Sequence, residues 1–425
     1  MRLFLYQFIA IVVIATGLFG ADLFVYAQTA EELRGKISAK SIEIQKLEQE
    51  IKKYQNDLTV LAAKKKTLAT SIAELNALRK KLEAEIRITQ TKVDTTDLKI
   101  RQLGSQISSR EDEIDLRTAA LAEALRVVNE REARSLAQVA LSSESFSGVW
   151  DDLEALDQFT GKVRDNVEVI KGLKVDLENK QGKQQVEKKN FLTLKSELSD
   201  RKKIAEANNA AQAKLLAQTK NQESTYSKIL KQKIALKDAF EKELREYEST
   251  LKFILDPTSI PPRGTKVFSK PLDAMRLTQH FGDTAFSRSG AYNGKGHNGV
   301  DFGVSVGTKV KAMLGGTIIG AGDTDTTCPG ASYGKWVLIR HNNGLASLYA
   351  HLSLIKVSKG ATVNTGDIIG YSGNTGYSTG PHLHLTVFAA AAVEVKTRPS
   401  TACGGRNYTM PVAALNAYLD PMDYL

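Results

Sequence analysis

The apolar positions of this chain change period near residue 260. From Ile44 they recur at alternating spacings of three and four: Ile44, Leu47, Ile51, Tyr54, Leu58, Leu61, Lys65, Leu68, Ile72, Leu75, Arg79, Leu82 and Ile86. The stripe continues through Thr89, Val93, Thr96, Ile100, Leu103 and Ile107, with Glu and Lys in the flanking positions. A lone straight helix drifts off such a stripe over this many heptads, so the spacing predicts a coiled coil. The pattern weakens between 140 and 160, where Ser142, Ser143, Ser145, Ser147 and Gly148 predict a break. Phe146, Val149, Trp150, Leu153 and Leu156 form an apolar patch there, suited either to packing a hairpin tip or to docking on a membrane partner. A second charged helical region runs from about Val163 to Leu255, with apolar positions at Ile170, Leu177, Phe191, Leu194, Leu198, Ile229, Leu236 and Leu244. Two arms of similar length predict an antiparallel hairpin, and periodicity alone leaves a parallel homodimer open.

Beyond residue 264 the period becomes two. Short apolar runs stand between glycine turns: Gly316–Gly320, Trp336–Arg340, Leu345–Leu352 and His382–Phe388. This predicts an antiparallel all-β domain. On the last run His382, His384, Thr386 and Phe388 share one face, and Leu383, Leu385 and Val387 the other. His351 is placed by the same rule on the face of Tyr349.

Composition places the boundary between the two halves. Residues 1–259 hold 82 of the 106 charged side chains but only 8 of the 31 glycines and one of the nine prolines. The intervening run Asp256-Pro257-Thr258-Ser259-Ile260-Pro261-Pro262-Arg263-Gly264 cannot continue a helix. The formal charge of +10 is spread over both halves without a block of like charges, which argues against nucleic-acid binding and suits a polyanionic envelope. Arg2 precedes an uncharged stretch from Leu3 to Ala21, and Val25-Tyr26-Ala27 suits signal-peptidase cleavage after Ala27. An uncleaved membrane anchor is the competing reading, and both predict export. In an exported protein Cys328 and Cys403 are either a disulfide or two buried thiols. The expected organisation is residues 1–27 as signal peptide or anchor, 28–255 as coiled coil, 256–264 as linker and 265–425 as the β domain.

All six histidines follow residue 279. Four stand in His297-Asn298-Gly299-Val300-Asp301, Tyr349-Ala350-His351 and Pro381-His382-Leu383-His384. Imidazole and carboxylate are ligands that zinc prefers outside thiolate sites, and a catalytic zinc needs three plus an open position. Two His and one Asp meet that need and leave two His for proton transfer. His280 and His341 read as strand-end and turn residues.

These elements, in this order, resemble the LytM/lysostaphin-type zinc metallopeptidases, the murein DD-endopeptidases. Gly373-Asn374-Thr375-Gly376-Tyr377-Ser378-Thr379-Gly380-Pro381-His382-Leu383-His384 is similar to that family's most characteristic stretch. The resemblance covers roughly 265–390. It implies Zn2+ on His297, Asp301 and His384, with His351 and His382 as the catalytic histidines, their roles not divided. Tyr292 is a further oxyanion donor by analogy. It also implies a peptidoglycan peptide as substrate. A coiled coil ahead of such a domain is similar in plan to division-associated murein hydrolases and their activators, whose arm a membrane complex controls. The alternative that this plan carries is a non-catalytic regulator that activates a separate wall hydrolase. Regulators of that kind have lost metal ligands, whereas all three are present here.

Overall fold

The computed structural model describes residues 32–58, 60–61, 66–132, 146–283, 296–378 and 380–425. The expected signal peptide or anchor lies outside them, as does Tyr292. Among the described residues no helix is long and apolar enough to cross a membrane.

Among the described residues four helices precede the β domain: α1 over residues 32–58, α2 Leu68–Glu132, α3 Phe146–Thr219 and α4 Glu223–Thr250. The three–four stripe therefore does not run through one helix. It is interrupted at Lys66-Thr67, where the Thr70 hydroxyl accepts from the Thr67 amide at 2.8 Å. Within the stretch where a break was expected, near 140–160, α3 is helical from Phe146 and contains Gly148, and residues 140–145 lie outside the described set. Side chains of most of the Phe146–Leu156 patch lie outside the described set. The second helical region is not continuous either: Lys220 (φ 47) and Asn221 (φ 56) take left-handed backbone and split it into α3 and α4. Asn tolerates that conformation better than most residues, which marks the turn.

The chain forms two compact units, one within residues 1–46 and 87–198, the other within 47–86 and 199–425. In the first, α2 and α3 run antiparallel: Gln184 reaches the Ile100 carbonyl, Arg110 pairs with Asp176 at 3.0 Å, and Arg117 meets Asn166 at 3.2 Å. In the second, Asn208 reaches the Leu75 carbonyl and Arg201 pairs with Glu85 at 2.7 Å, again antiparallel. Here the helix pair also packs on the β domain. Leu78, Leu82 and Ile204 share an apolar cluster with Val306 and Tyr371. Beside it the buried Lys81 ammonium donates to the Val306 carbonyl at 3.0 Å, and Asp200 accepts from Lys356 and Tyr371.

Among the described residues twelve strands follow: β1 Leu277–Gln279, β2 Val300–Gly303, β3 Lys309–Lys311, β4 Gly316–Asp323, β5 Lys335–His341, β6 Leu345–Ile355, β7 Thr362–Val363, β8 Ile368–Ser372, β9 His382–Ala389, β10 Glu394–Ser400, β11 Arg406–Val412 and β12 Tyr418–Leu419. Their main antiparallel sheet has the order β1-β2-β9-β6-β5-β4-β7; β8 joins β3 to β6, β12 joins β9, and β10–β11 form a separate hairpin. The alternation on β9 holds. Leu383, Leu385 and Val387 enter the apolar core with Val300, Phe302, Val337 and Ile339, while Phe388 enters a second core on the other face. That second core contains Phe240 and Leu244 of α4. Cys328 and Cys403 are joined in a disulfide buried in the same core, across a separation of 75 residues. Closing a loop of that size removes about 4 kcal/mol of unfolded-state entropy in the chain-entropy account.

Candidate metal and catalytic site

The site is assembled by strand register. β9 lies between β2 and β6, and His384 is opposite Asp301 on one side and Ala350 on the other. His382 faces Gly303 across the same ladder, and His297 is bridged to Gly282 just ahead of β2. Three chain segments therefore deliver Asp301, His297, His382, His384 and His351 to one end of the sheet. Gly299 makes this close approach feasible: a Cβ there would lie 2.4 Å from the Leu385 carbonyl oxygen and 2.8 Å from His384 Cε1.

His297, Asp301 and His384 are buried, and one potential ligand atom of each lies within 4.8 Å of the others. His384 Nδ1 is 2.8 Å from Asp301 Oδ1 and 3.1 Å from His297 Nε2. The opposite ring nitrogens are engaged elsewhere. His297 Nδ1 donates to the His280 carbonyl at 3.1 Å, and His384 Nε2 meets the Thr386 hydroxyl at 2.9 Å. Anchoring one nitrogen fixes the tautomer and leaves the other lone pair for an ion. Burial lowers the His384 pKa, although Asp301 opposes it. Burial also acts to raise the Asp301 pKa, but hydrogen bonds and charge from His297 and His384 outweigh it and hold the carboxyl well below its usual range. Two imidazoles, each with its other nitrogen engaged, and a carboxylate are a zinc donor set, so the residues present fit that ion.

The other two histidines stand beside this cluster. The His351 and His382 rings are 4.6 Å apart, and His351 is 5.8 Å from the His384 ring. His351 Nδ1 donates to the Thr375 carbonyl at 2.8 Å and His382 Nδ1 to the Gly380 carbonyl at 2.8 Å, so both present Nε2. His382 Nε2 is 3.7 Å from Asp301 Oδ1. Burial, followed by the His382 and His384 neighbours, keeps the His351 pKa well below 6.5.

One expectation about orientation fails. Tyr349 does not share the face of His351: its hydroxyl accepts from the Met313 amide and from Ser347 within the first core. The reason is backbone. His351 has φ 59, a left-handed value that costs a non-glycine residue energy and interrupts the period of two. Such strain is a known feature of functional positions. His280 contributes its carbonyl to the site, while His341 is buried between the Gly315 carbonyl and Ser347.

Sequence reasoning missed the roof. A cavity of ≈ 390 Å³ lies over the five residues, and its far wall is α4, through Phe240, Glu241, Leu244, Arg245 and Glu248. The helix is held on several sides. Arg245 Nη2 donates to the Gly296 carbonyl, and Lys237 lies 4.5 Å from the Tyr377 ring centre. Glu243 accepts from Ser400, Thr401 and the Ala402 amide at 2.9–3.0 Å. Phe240 meets Tyr408 edge-on at 4.8 Å, and Glu248 accepts from Tyr418 at 2.6 Å. Burial raises the Glu248 pKa to about 7. Nothing in the charged, helical sequence of α4 distinguishes these positions from an ordinary apolar stripe.

Residues 295–396 match the model of Peptidase family M23. The DD-carboxypeptidase/endopeptidase Mpg of Neisseria meningitidis is 44% identical over 88 residues, 21% of this chain and 19% of that protein. The glycyl-glycine endopeptidase ALE-1 of Staphylococcus capitis is 45% identical over 94 residues, 22% and 25% respectively. The chain thus spans about a fifth to a quarter of the length of these relatives. Among solved structures, the lysostaphin catalytic domain from Staphylococcus simulans is 31% identical and is covered over 90% of its length by 35% of this chain, with a TM-score of 0.26. The segment that matches, residues 295–396, holds the whole His-Asp-His cluster and is similar to Peptidase family M23.

Proposed function

We propose that this protein is an exported zinc metalloendopeptidase that hydrolyses peptide bonds in peptidoglycan stem peptides or cross-bridges, with its helical arm governing access to the site. The observation that carries the reading is the convergence of five side chains: three ligand atoms within 4.8 Å, and two imidazoles beside them with Nε2 presented. Residues 265–425 would form the peptidase, 28–255 the coiled-coil arm and 256–264 the linker. His297 Nε2, Asp301 Oδ1 and His384 Nδ1 would hold the ion. Bound there, zinc supplies Lewis-acid polarisation of the scissile carbonyl and acidifies the attacking water.

The chain's own groups do the rest. His351 and His382 present their Nε2 atoms to the cleft, and burial lowers the His351 pKa. One accepts the proton of the attacking water at Nε2 and returns it to the leaving amine, while the other can donate to the developing oxyanion when it carries a second proton, at Nε2. Their Nδ1–H bonds to the Thr375 and Gly380 carbonyls keep both rings from turning away.

Control by the arm is supported by α4. With α4 seated, His297, Asp301, His351 and His384 are all buried, and α4 forms one wall of the ≈ 390 Å³ cavity over them. The start of α4 is tied to the start of α2: Glu223 accepts from the Leu68 amide at 2.7 Å, and Tyr226 meets Ser71 at 2.7 Å. A pull on the arm by a membrane partner would thereby reach the cover. Export follows from the substrate, which lies outside the cytoplasmic membrane, and wall remodelling or daughter-cell separation is the role this plan fits.

The test measures zinc content and muropeptide release from sacculi by the full chain, His384→Ala and Phe240→Ala. About one zinc per chain, with release that rises in Phe240→Ala and vanishes in His384→Ala, supports the proposal. A zinc-loaded Phe240→Ala protein that exposes its site yet cuts no sacculus refutes it, and favours the regulator reading.

A further inference from the structure

His351 is the one site histidine in left-handed backbone, and its ring is steered by a single acceptor, the Thr375 carbonyl. That carbonyl belongs to the same peptide group as the Gly376 amide. The Gly376 N–H in turn donates to Asp325 Oδ2 at 2.7 Å. Asp325 is not part of any histidine motif. It belongs to a one-turn helix, residues 324–326, between β4 and β5. Its other oxygen accepts from the Gly330 amide at 2.7 Å, and its own amide donates to Asp323 at 3.0 Å, so the carboxylate is fixed at both ends.

The Thr375–Gly376 peptide is itself clamped. The Thr375 hydroxyl donates to the Leu352 carbonyl at 2.8 Å and accepts from the Lys335 amide at 3.0 Å. Gly376 (φ +68) and Gly334 (φ +59) approach so closely that a Cβ on Gly376 would lie 2.2 Å from the Gly334 nitrogen. The peptide therefore has one orientation, with its carbonyl toward His351 and its N–H toward Asp325.

We propose that Asp325 is a positioning residue for His351, acting through this peptide as a carboxylate–peptide–imidazole relay. A carboxylate on the N–H side polarises the amide and makes its carbonyl a stronger acceptor, since hydrogen bonds in a chain strengthen one another in a low-dielectric interior. The stronger acceptor holds the proton on His351 Nδ1 and leaves the Nε2 lone pair facing the cleft. When Nε2 takes a proton during turnover, the relay stabilises the imidazolium as a directly bonded carboxylate does in a Ser-His-Asp triad. No atom changes hands along the relay, and the peptide stays intact. The inference about turnover rests on the endopeptidase reading, whereas the inference about the tautomer does not.

The experiment uses the zinc-loaded full chain labelled with 15N-histidine, comparing wild type with Asp325→Asn, Asp325→Glu and Asp325→Ala. Two-dimensional NMR reads the His351 tautomer and its Nδ1–H shift, and a chelator competition reads zinc affinity. Sacculus hydrolysis is followed against pH. In Asp325→Asn the amide oxygen can accept from Gly376 or from Gly330 but not from both, so the charge is lost together with one of the two bonds, and circular dichroism checks that the fold is kept. The expected result is a moved His351 Nδ1–H resonance with unchanged zinc affinity and about a tenfold loss of kcat, the lower end of what losing an outer hydrogen-bond partner costs. Asp325→Glu is expected to restore part of the loss and Asp325→Ala to deepen it. An unmoved His351 resonance in Asp325→Asn overturns the relay. So does a fall in zinc affinity as large as that in kcat, because the effect is then general to the site. If wild type binds zinc and cuts nothing, the endopeptidase reading fails, and the NMR comparison still decides the relay.

Discussion

Phe240→Ala is expected to unseat α4 while leaving the sheet folded. Phe240 is 1% exposed and packs in the core with Cys328, Trp336 and Leu348, edge-on to Tyr408. Truncating a core Phe to Ala costs about 3–5 kcal/mol through lost transfer energy and the cavity left behind. The strands of that core have further partners across the sheet, whereas α4 is held by its seat on the β domain and its link to α2. Most of the cost therefore falls on the equilibrium between seated and released helix. At about 1.4 kcal/mol per factor of ten, even ~3 kcal/mol raises the released fraction more than 100-fold. Native-state hydrogen exchange reads this directly: amides of Glu223–Thr250 should lose about two orders of magnitude of protection, and those of Lys335–His341 much less. Sacculus hydrolysis should rise in parallel. Equal loss of protection in α4 and β5 would refute the reasoning, since Phe240 would then support the domain as a whole. Unchanged protection in α4 would refute it differently, by showing that the polar contacts alone hold the helix.

Further outcomes follow from the same geometry. Seating of α4 should weaken with rising pH: Glu248 holds its proton to about pH 7 when buried, against an ordinary value of 4.5 when released, so its contribution is full below about 4.5 and is lost as pH rises through about 7. Arg245, Arg398 and Tyr418 face the same carboxyl, and Glu248→Gln should flatten the pH dependence of α4 exchange without removing the helix from its seat. Chelation should lower the Tm of wild type, because an ion bound only by the folded state stabilises it by mass action, and His384→Ala should abolish that chelator-dependent shift. Gly299→Ala places a Cβ 2.4 Å from the Leu385 oxygen and 2.8 Å from His384 Cε1, so it should cost about 1–3 kcal/mol of stability and weaken zinc binding at least tenfold in a chelator titration.

Much of the architecture was legible from local pattern. A period of two on 382–388 separates histidines from core aliphatics whatever the strand pairs with, and β9 obeys it. The glycine-rich composition after 264 likewise read as antiparallel strands. Antiparallel α2 and α3 were anticipated from arm lengths, but their ends were not. Lys66-Thr67 and Lys220-Asn221 interrupt the helices without proline, and a left-handed turn at Asn221 leaves only a weak mark in sequence. His351 shows the limit from the other side: one residue at φ 59 reversed the predicted relation to Tyr349.

The sequence by itself determined the chemistry at hand. It put two imidazoles and a carboxylate in a zinc-type donor set, added two more imidazoles, and placed them on strands whose alternation faces them together. Only the tertiary structure decided what lies against that site. Whether Phe240, Leu244 and Glu248 of α4 face solvent, a partner helix or a catalytic cleft depends on contacts more than fifty residues apart in the chain. A helical stripe specifies that an apolar face will be buried, and says nothing of what buries it. The same holds for Asp325, whose place behind His351 comes from two loops meeting in space, a relation that no local spacing encodes.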